Sequence, residues 1–204
     1  MTEHDSHGSV SHGNVGLDQG FWDDLYGAAE QLWSGGPNEV LVAEISAQAP
    51  GRALDVGCGE GGDARWLAAR GWHVTAVDIS LVALARAAAA GDDANITWRH
   101  LDLIAEAPEP AAYDLVSAHY FGFPRTHAHA HVLERVLAAV APGGTLLVTS
   151  HAGMQDRHQG FCRPDEIAAR LDGGWEVLVD ETRPRIHPTY GHVDDVVLRA
   201  RKRG

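Results

Sequence analysis

From Asp18 onward, Phe21, Trp22, Leu25, Ala28, Ala29 and Leu32 recur at helical spacing, which predicts an amphipathic helix. The stretch "WSGGPN" breaks that pattern, and Asn38 is placed to cap a second helix with Leu41, Val42 and Ile45 on its apolar face. Beyond Pro50-Gly51 short apolar runs alternate with helical stretches. Residues 52–56, 73–77, 96–99, 113–118 and 145–150 read as strands. Between them, residues 63–70 read as a helix closed by Gly71, and an alanine-rich helix is capped by Ser80 and ended by Gly91. Residues 127–140 form a third core helix with Val132, Leu133, Val136 and Leu137 inward, and Pro142-Gly143-Gly144 turns the chain into the next strand. A short helix over 164–171 follows, then strands around 175–181 and 194–200 with no helix between them. Such alternation implies a doubly wound α/β fold: a seven-stranded, mostly parallel sheet with helices on both faces and an antiparallel C-terminal hairpin at one edge.

The domain reading follows from the same pattern. Residues 1–17 are polar, rich in Gly, Ser and His, and without period, so they are expected to be a flexible tail. Residues 18–204 then form a single domain, with a helical lid over 18–48 and the α/β core over 52–204.

Composition narrows the partners. The 28 acidic and 16 basic residues leave a formal net charge of -12, which disfavours nucleic acid. Two cysteines, Cys58 and Cys162, are too few for a disulfide scaffold. No apolar run approaches a membrane span and no charged, apolar leader opens the chain, so a cytoplasmic monomer or homodimer is expected.

The candidate chemistry starts in "ALDVGCGEGGDARW". Gly57, Gly59 and Gly62 fit the G-x-G-x-x-G spacing of a dinucleotide site on the first strand–helix turn. Asp55, just before the first glycine, and Asp63, at the start of the helix, oppose a pyrophosphate there. A cofactor with an ammonium and a sulfonium and no phosphate, such as S-adenosylmethionine, reverses the sign of that argument. Asp78, ending the second strand, is placed to accept both ribose hydroxyls. Asp102, just after the third, is placed to accept from an adenine amino group, with Leu103 against the ring. The ribose-type acid alone is also compatible with an NAD(P)-dependent oxidoreductase, although no hydride-transfer constellation accompanies it.

With these motifs the sequence resembles the class I S-adenosylmethionine-dependent methyltransferases over about residues 20–204. "LDVGCGEGGD" is similar to their glycine-rich motif, "VTAVDIS" to their ribose motif and "HLDL" to their adenine motif. "YDLVSAHY" and "LAAVAPGGTLLV" match the segments that follow. The resemblance implies a Rossmann-like core and S-adenosylmethionine as cofactor, leaving as S-adenosylhomocysteine. It also implies Asp55, Gly57, Cys58 and Gly59 around the methionine part, Asp78 and Ile79 at the ribose, Asp102 and Leu103 at the adenine, and His119 near the sulfonium. Cys58 is expected to be a small loop residue and no nucleophile, because acidic neighbours do not depress a thiol pKa. The N-terminal "WDDLYGAAEQLWSGG" and the compact length look most like the small tellurite-resistance and thiopurine-type methyltransferases.

Methyl transfer needs alignment, a dry site and, for some acceptors, a base. The acceptor is expected to be a small molecule, with a thiol or chalcogen species first and a hydroxyl or amine of a metabolite second. Trp22, Tyr26, Trp33 and Tyr120 are the candidate acceptor-facing aromatics. His151, ending the fifth strand, and His187 are the candidate bases or orienting groups. His127 and His131 are four apart but have no carboxylate or cysteine to complete a zinc site, so no metal is assigned.

Overall fold

The computed structural model describes residues 18–91, 93–152, 160–189 and 192–204, with the backbone alone at 127, 187–189 and 192. The N-terminal tail therefore lies outside the described residues. Helix α1 (Gln19–Gly27) starts where Asp18 accepts the Phe21 N–H at 2.8 Å. It stops at Gly27, short of the expected Leu32, because the N–H groups of Leu32 and Trp33 are taken by the Glu60 carboxylate. Asn38 caps α2 (Glu39–Ile45) as expected, and Val40, Leu41 and Ile45 are its buried positions.

In the core, β1 (Arg52–Val56), α3 (Gly62–Ala68), β2 (His73–Asp78), α4 (Leu81–Ala89), β3 (Ile96–His100) and β4 (Tyr113–His119) follow one another. Next come a two-residue strand β5 (Phe123–Pro124), α5 (His131–Ala139), β6 (Val140–His151), β7 (Phe161–Cys162) and α6 (Pro164–Ala168). The hairpin of β8 (Trp175–Thr189) and β9 (His192–Lys202) ends the chain. The main sheet has seven strands in the order β3-β2-β1-β4-β6-β9-β8, and β5 pairs with β7 in a separate small ladder. Strands β3, β2, β1, β4 and β6 are parallel, while β9 and β8 are antiparallel additions. Strand order reverses between β1 and β4, which opens a crevice at their carboxyl ends.

Successive residues on the central strands serve opposite faces. Leu54, Val116, Leu146 and Leu198 pack with Val132, Leu133 and Val136 of α5. Ala53, Leu115, Leu147 and Val197 pack with Leu41 and Ile45 of α2, Leu67 of α3 and Leu84 of α4. The segment expected as a Pro-Gly-Gly turn is part of β6 instead. The β4–β6 register jumps from Tyr113↔Val140 to Leu115↔Thr145, so Pro142, Gly143 and Gly144 bulge within the strand. The expected helix over 127–140 is also divided, with a 3-10 turn at His127–His129 before α5. His127 and His131 thus do not share one helix, and no metal-type cluster occurs among the described residues. No helix among them is long and apolar enough to cross a membrane.

Trp72, 1% exposed, joins α3 to the sheet in the second layer. Trp72→Ala is expected to lower the unfolding free energy by about 3–5 kcal/mol, read by urea denaturation.

Candidate active site

The turn after β1 is held by backbone donors. Gly57 and Cys58 both donate N–H to the Val77 carbonyl, at 2.9 and 3.0 Å. Gly59 N–H donates to Asp78 Oδ2 and Ser80 N–H to Asp78 Oδ1, each at 2.8 Å. One carboxylate therefore ties the glycine loop to the start of α4. Gly57 and Gly59 have φ of +69° and +51°, and both are closely covered. A Cβ on Gly57 would stand 2.9 Å from the Phe121 ring, and one on Gly59 would stand 2.7 Å from the Tyr26 hydroxyl.

Asp55 lies beneath this loop, 2% exposed, and its Oδ2 has no hydrogen-bond partner among the described residues. Burial pushes its pKa well up, and the neighbouring charges of Asp63 and Asp78 add to the rise. Burial also raises Asp78, against the N–H bonds from Ser80 and Gly59 that favour its charged form. A buried acid under a positive-φ glycine loop is a poor seat for pyrophosphate. It fits a cationic, phosphate-free ligand. The Cys58 thiol is buried and raised in pKa by that burial and by Asp55, so it stays protonated.

At the ends of β2 and β3, Ile79, His100, Asp102, Ile104 and Asp18 border a cavity of about 270 Å³. Asp102 accepts the Ile104 N–H at 2.8 Å, and His100 Nε2 lies 3.0 Å from the Ile79 carbonyl oxygen. Leu103, expected beside an adenine ring, points into the core at 7% exposure, and Ile104 lines the cavity in its place.

The N-terminal segment closes the other side through contacts that sequence reading missed. Glu60 accepts N–H bonds from Leu32 and Trp33 and pairs with Arg86 at 3.0 Å, while Arg86 also donates to the Ala29 carbonyl. Asp23 of α1 accepts the Ser80 hydroxyl at 2.7 Å and the Val82 N–H at 3.2 Å. A carboxylate inside a glycine loop and a lone arginine in an alanine-rich helix were the available signals. Of the expected aromatics, Tyr26 is buried, accepts from Trp33 Nε1 at 3.1 Å and is kept protonated by burial. Trp33 is 56% exposed, and Trp22 lies 6.3 Å from the Tyr26 ring. Tyr26 and Trp33 thus cover Gly59.

Beyond β4 and β6 lies a polar cluster. His119 Nδ1 meets Thr149 Oγ1 at 3.0 Å, and its enclosed Nε2 has no partner among the described residues. Burial lowers its pKa, so the ring is neutral at pH 7 and does not repel a nearby cation. Tyr120 has φ of +56°, a strained backbone for a bulky residue, and its hydroxyl donates to Asp195 at 3.1 Å. The His151 ring stacks on Tyr120 at 4.2 Å and sits opposite Asp195 in the β6–β9 register, its Nδ1 3.6 Å from Asp195 Oδ1. Arg185 Nη1 lies 3.2 Å from the same Nδ1. A guanidinium only donates, so Nδ1 is the acceptor in this contact. The His187 side chain lies outside the described residues.

The profile of a methyltransferase domain matches residues 53–144. An uncharacterized methyltransferase of Mycobacterium tuberculosis is 40% identical over 131 residues, covering 60% of this chain and 64% of that protein. The ubiquinone biosynthesis O-methyltransferase of Xylella fastidiosa is 30% identical over 194 residues, covering 82% of this chain and 78% of that one. The chain belongs to the class I S-adenosylmethionine-dependent methyltransferases. A solved methyltransferase structure from Mesorhizobium loti superposes with a TM-score of 0.62 at 20% identity, covering 80% of this chain and 96% of that one, which shows the shared methyltransferase fold. The cofactor of this family is S-adenosylmethionine, whose positive charge suits the acidic loop described above.

Asp78→Ala is expected to weaken S-adenosylhomocysteine binding by about a hundredfold, since bonds to a charged acceptor are worth roughly 1.5–3 kcal/mol each; isothermal calorimetry reads the loss. Asp55→Asn tests the buried acid. A carboxyl with a raised folded pKa favours folding at low pH and loses that advantage as pH rises through the folded pKa. The variant should therefore gain melting temperature over the parent at alkaline pH, roughly 2–4 °C per kcal/mol relieved, with the gain shrinking on acidification. Its affinity for the cationic cofactor should fall.

Proposed function

We propose that the chain transfers the methyl group of S-adenosylmethionine to a small-molecule acceptor. The observation that carries this reading is the Asp78 carboxylate, bonded to Gly59 and Ser80 N–H groups at the end of β2 beside the acidic glycine loop. When bound, the cofactor supplies an electrophilic methyl carbon on sulfur. Asp78 has lone pairs left for ribose hydroxyls, and Ile79, Asp102 and Ile104, which border one cavity, are assigned to the base. Tyr26 and Trp33 exclude water from the Gly59 side, and the neutral His119 supplies polarity without positive charge. Catalysis then rests chiefly on alignment and exclusion of water.

Acceptor chemistry follows from His151. Its Nδ1 is occupied by Arg185, so that nitrogen is not presented to an acceptor's proton in this arrangement. That favours an acceptor already ionised on arrival, such as a thiolate or a selenium or tellurium anion. It also favours kinship with the compact tellurite-resistance and thiopurine-type branch. The second reading is an oxygen or nitrogen acceptor. It is favoured by Asp195, close enough to turn His151 into a base if Arg185 moves, and by the O-methyltransferase relative.

A panel of thiols, selenols, phenols and amines, followed by S-adenosylhomocysteine release, tests both readings. Thiols or selenols should turn over first, and His151→Asn should leave them little changed. Turnover of phenols or amines that His151→Asn cuts by about a hundredfold, as loss of a general base does, would establish the second reading. Failure to bind S-adenosylhomocysteine would overturn both.

A further inference from the structure

Arg185 is a mostly buried arginine whose charge is only loosely answered. Its side chain is 15% exposed, and its approach to the Asp195 carboxylate is 3.8 Å, beyond hydrogen-bond distance. By contrast Arg183, two residues earlier on β8, meets Glu44 at 2.8 Å. Asp195 is engaged elsewhere, since both of its oxygens take the Tyr120 hydroxyl, at 3.2 and 3.1 Å. Arg185 uses one N–H on His151, lies over the Tyr120 ring at 5.5 Å, and its Nε has no partner among the described residues. A guanidinium is a planar fork matched to a carboxylate, and a buried one is stable only when its charge is met.

The placement matters as much as the charge. Tyr120 follows β4, His151 ends β6, and Arg185 and Asp195 lie at the facing end of the hairpin. All four therefore border the carboxyl end of the parallel strands, where the methyltransferase reading places the acceptor. In a chain of net charge -12, this is a cation at the carboxyl end of the parallel strands.

We propose that Arg185, framed by Tyr120 and His151, anchors a carboxylate of the methyl acceptor, so that the enzyme selects acid-bearing small molecules over neutral ones. The proposal rests on the methyltransferase reading but concerns a different site from the cofactor's. The anchoring anion bonds to the guanidinium fork, and Asp195 is its competitor.

The test is equilibrium binding of three acids to the chain saturated with S-adenosylhomocysteine: succinate, phenylacetate and 3-mercaptopropionate, each against its neutral amide. At least one acid should bind about tenfold or more tightly than its amide, the scale of one charge-assisted pair. Arg185→Gln should abolish that preference while S-adenosylhomocysteine affinity is retained. Asp195→Asn, which removes the competing charge, should strengthen acid binding, a gain that misfolding cannot produce. Equal binding of acids and amides, no acid bound, a preference that survives Arg185→Gln, or no gain with Asp195→Asn would each overturn the proposal. Failure of the parent chain to bind S-adenosylhomocysteine would instead overturn the methyltransferase reading, and the anchor with it.

Discussion

The buried carboxylate of Asp78 is the constraint on which the crevice depends. Its two oxygens take N–H groups from opposite sides, one from the glycine loop after β1 and one from the start of α4. Without that junction the loop would have backbone donors to satisfy elsewhere, and its positive-φ glycines would lose their common reference. Asp55 lies under the same loop with one oxygen unpaired among the described residues, so two acids share a small region of low polarity. Such an arrangement costs folding energy, and a nearby positive charge would offset part of that cost.

The same loop organises the rest of the molecule. Glu60, three residues beyond Gly57, collects the N-terminal segment and α4 onto one carboxylate. On the far side Phe121 covers Gly57, and the preceding residue, Tyr120, begins the polar cluster with His151, Arg185 and Asp195. Glycine loop, N-terminal segment and polar cluster thus meet at the carboxyl ends of β1, β4 and β6, with the apolar layers on both sheet faces holding those ends in register.

Much of this was legible along the chain. The alternation of Ala53 with Leu54 and of Leu146 with Leu147 marks strands buried on both faces, and Asn38 and Ser80 announce their helices by local capping chemistry. The acids Asp55, Asp78 and Asp102 were readable because each sits at or just beyond a strand. The missed features depend on distant partners. The end of α1 is decided by Glu60, 28 residues from Leu32. Leu103 and Ile104 exchange roles because one residue of offset after β3 reverses which side chain faces the crevice. Strand β8 runs on past 181 through Pro184, which an edge strand tolerates. The Tyr120–Asp195 contact arises from a left-handed residue and a hairpin register, and neither leaves a periodic trace.

The Glu60 junction also decides how firmly the cover over the glycine loop is held. Gly59 lies under Tyr26 and Trp33, and the strap that carries them is fastened by backbone amides and an ion pair on a single, mostly enclosed carboxylate. Lifting the strap breaks those links together and leaves Glu60 uncompensated. Because that carboxylate is nearly enclosed, dissolved salt screens the Arg86 pair only weakly, and the cover over Gly59 stays fastened across a wide range of ionic strength.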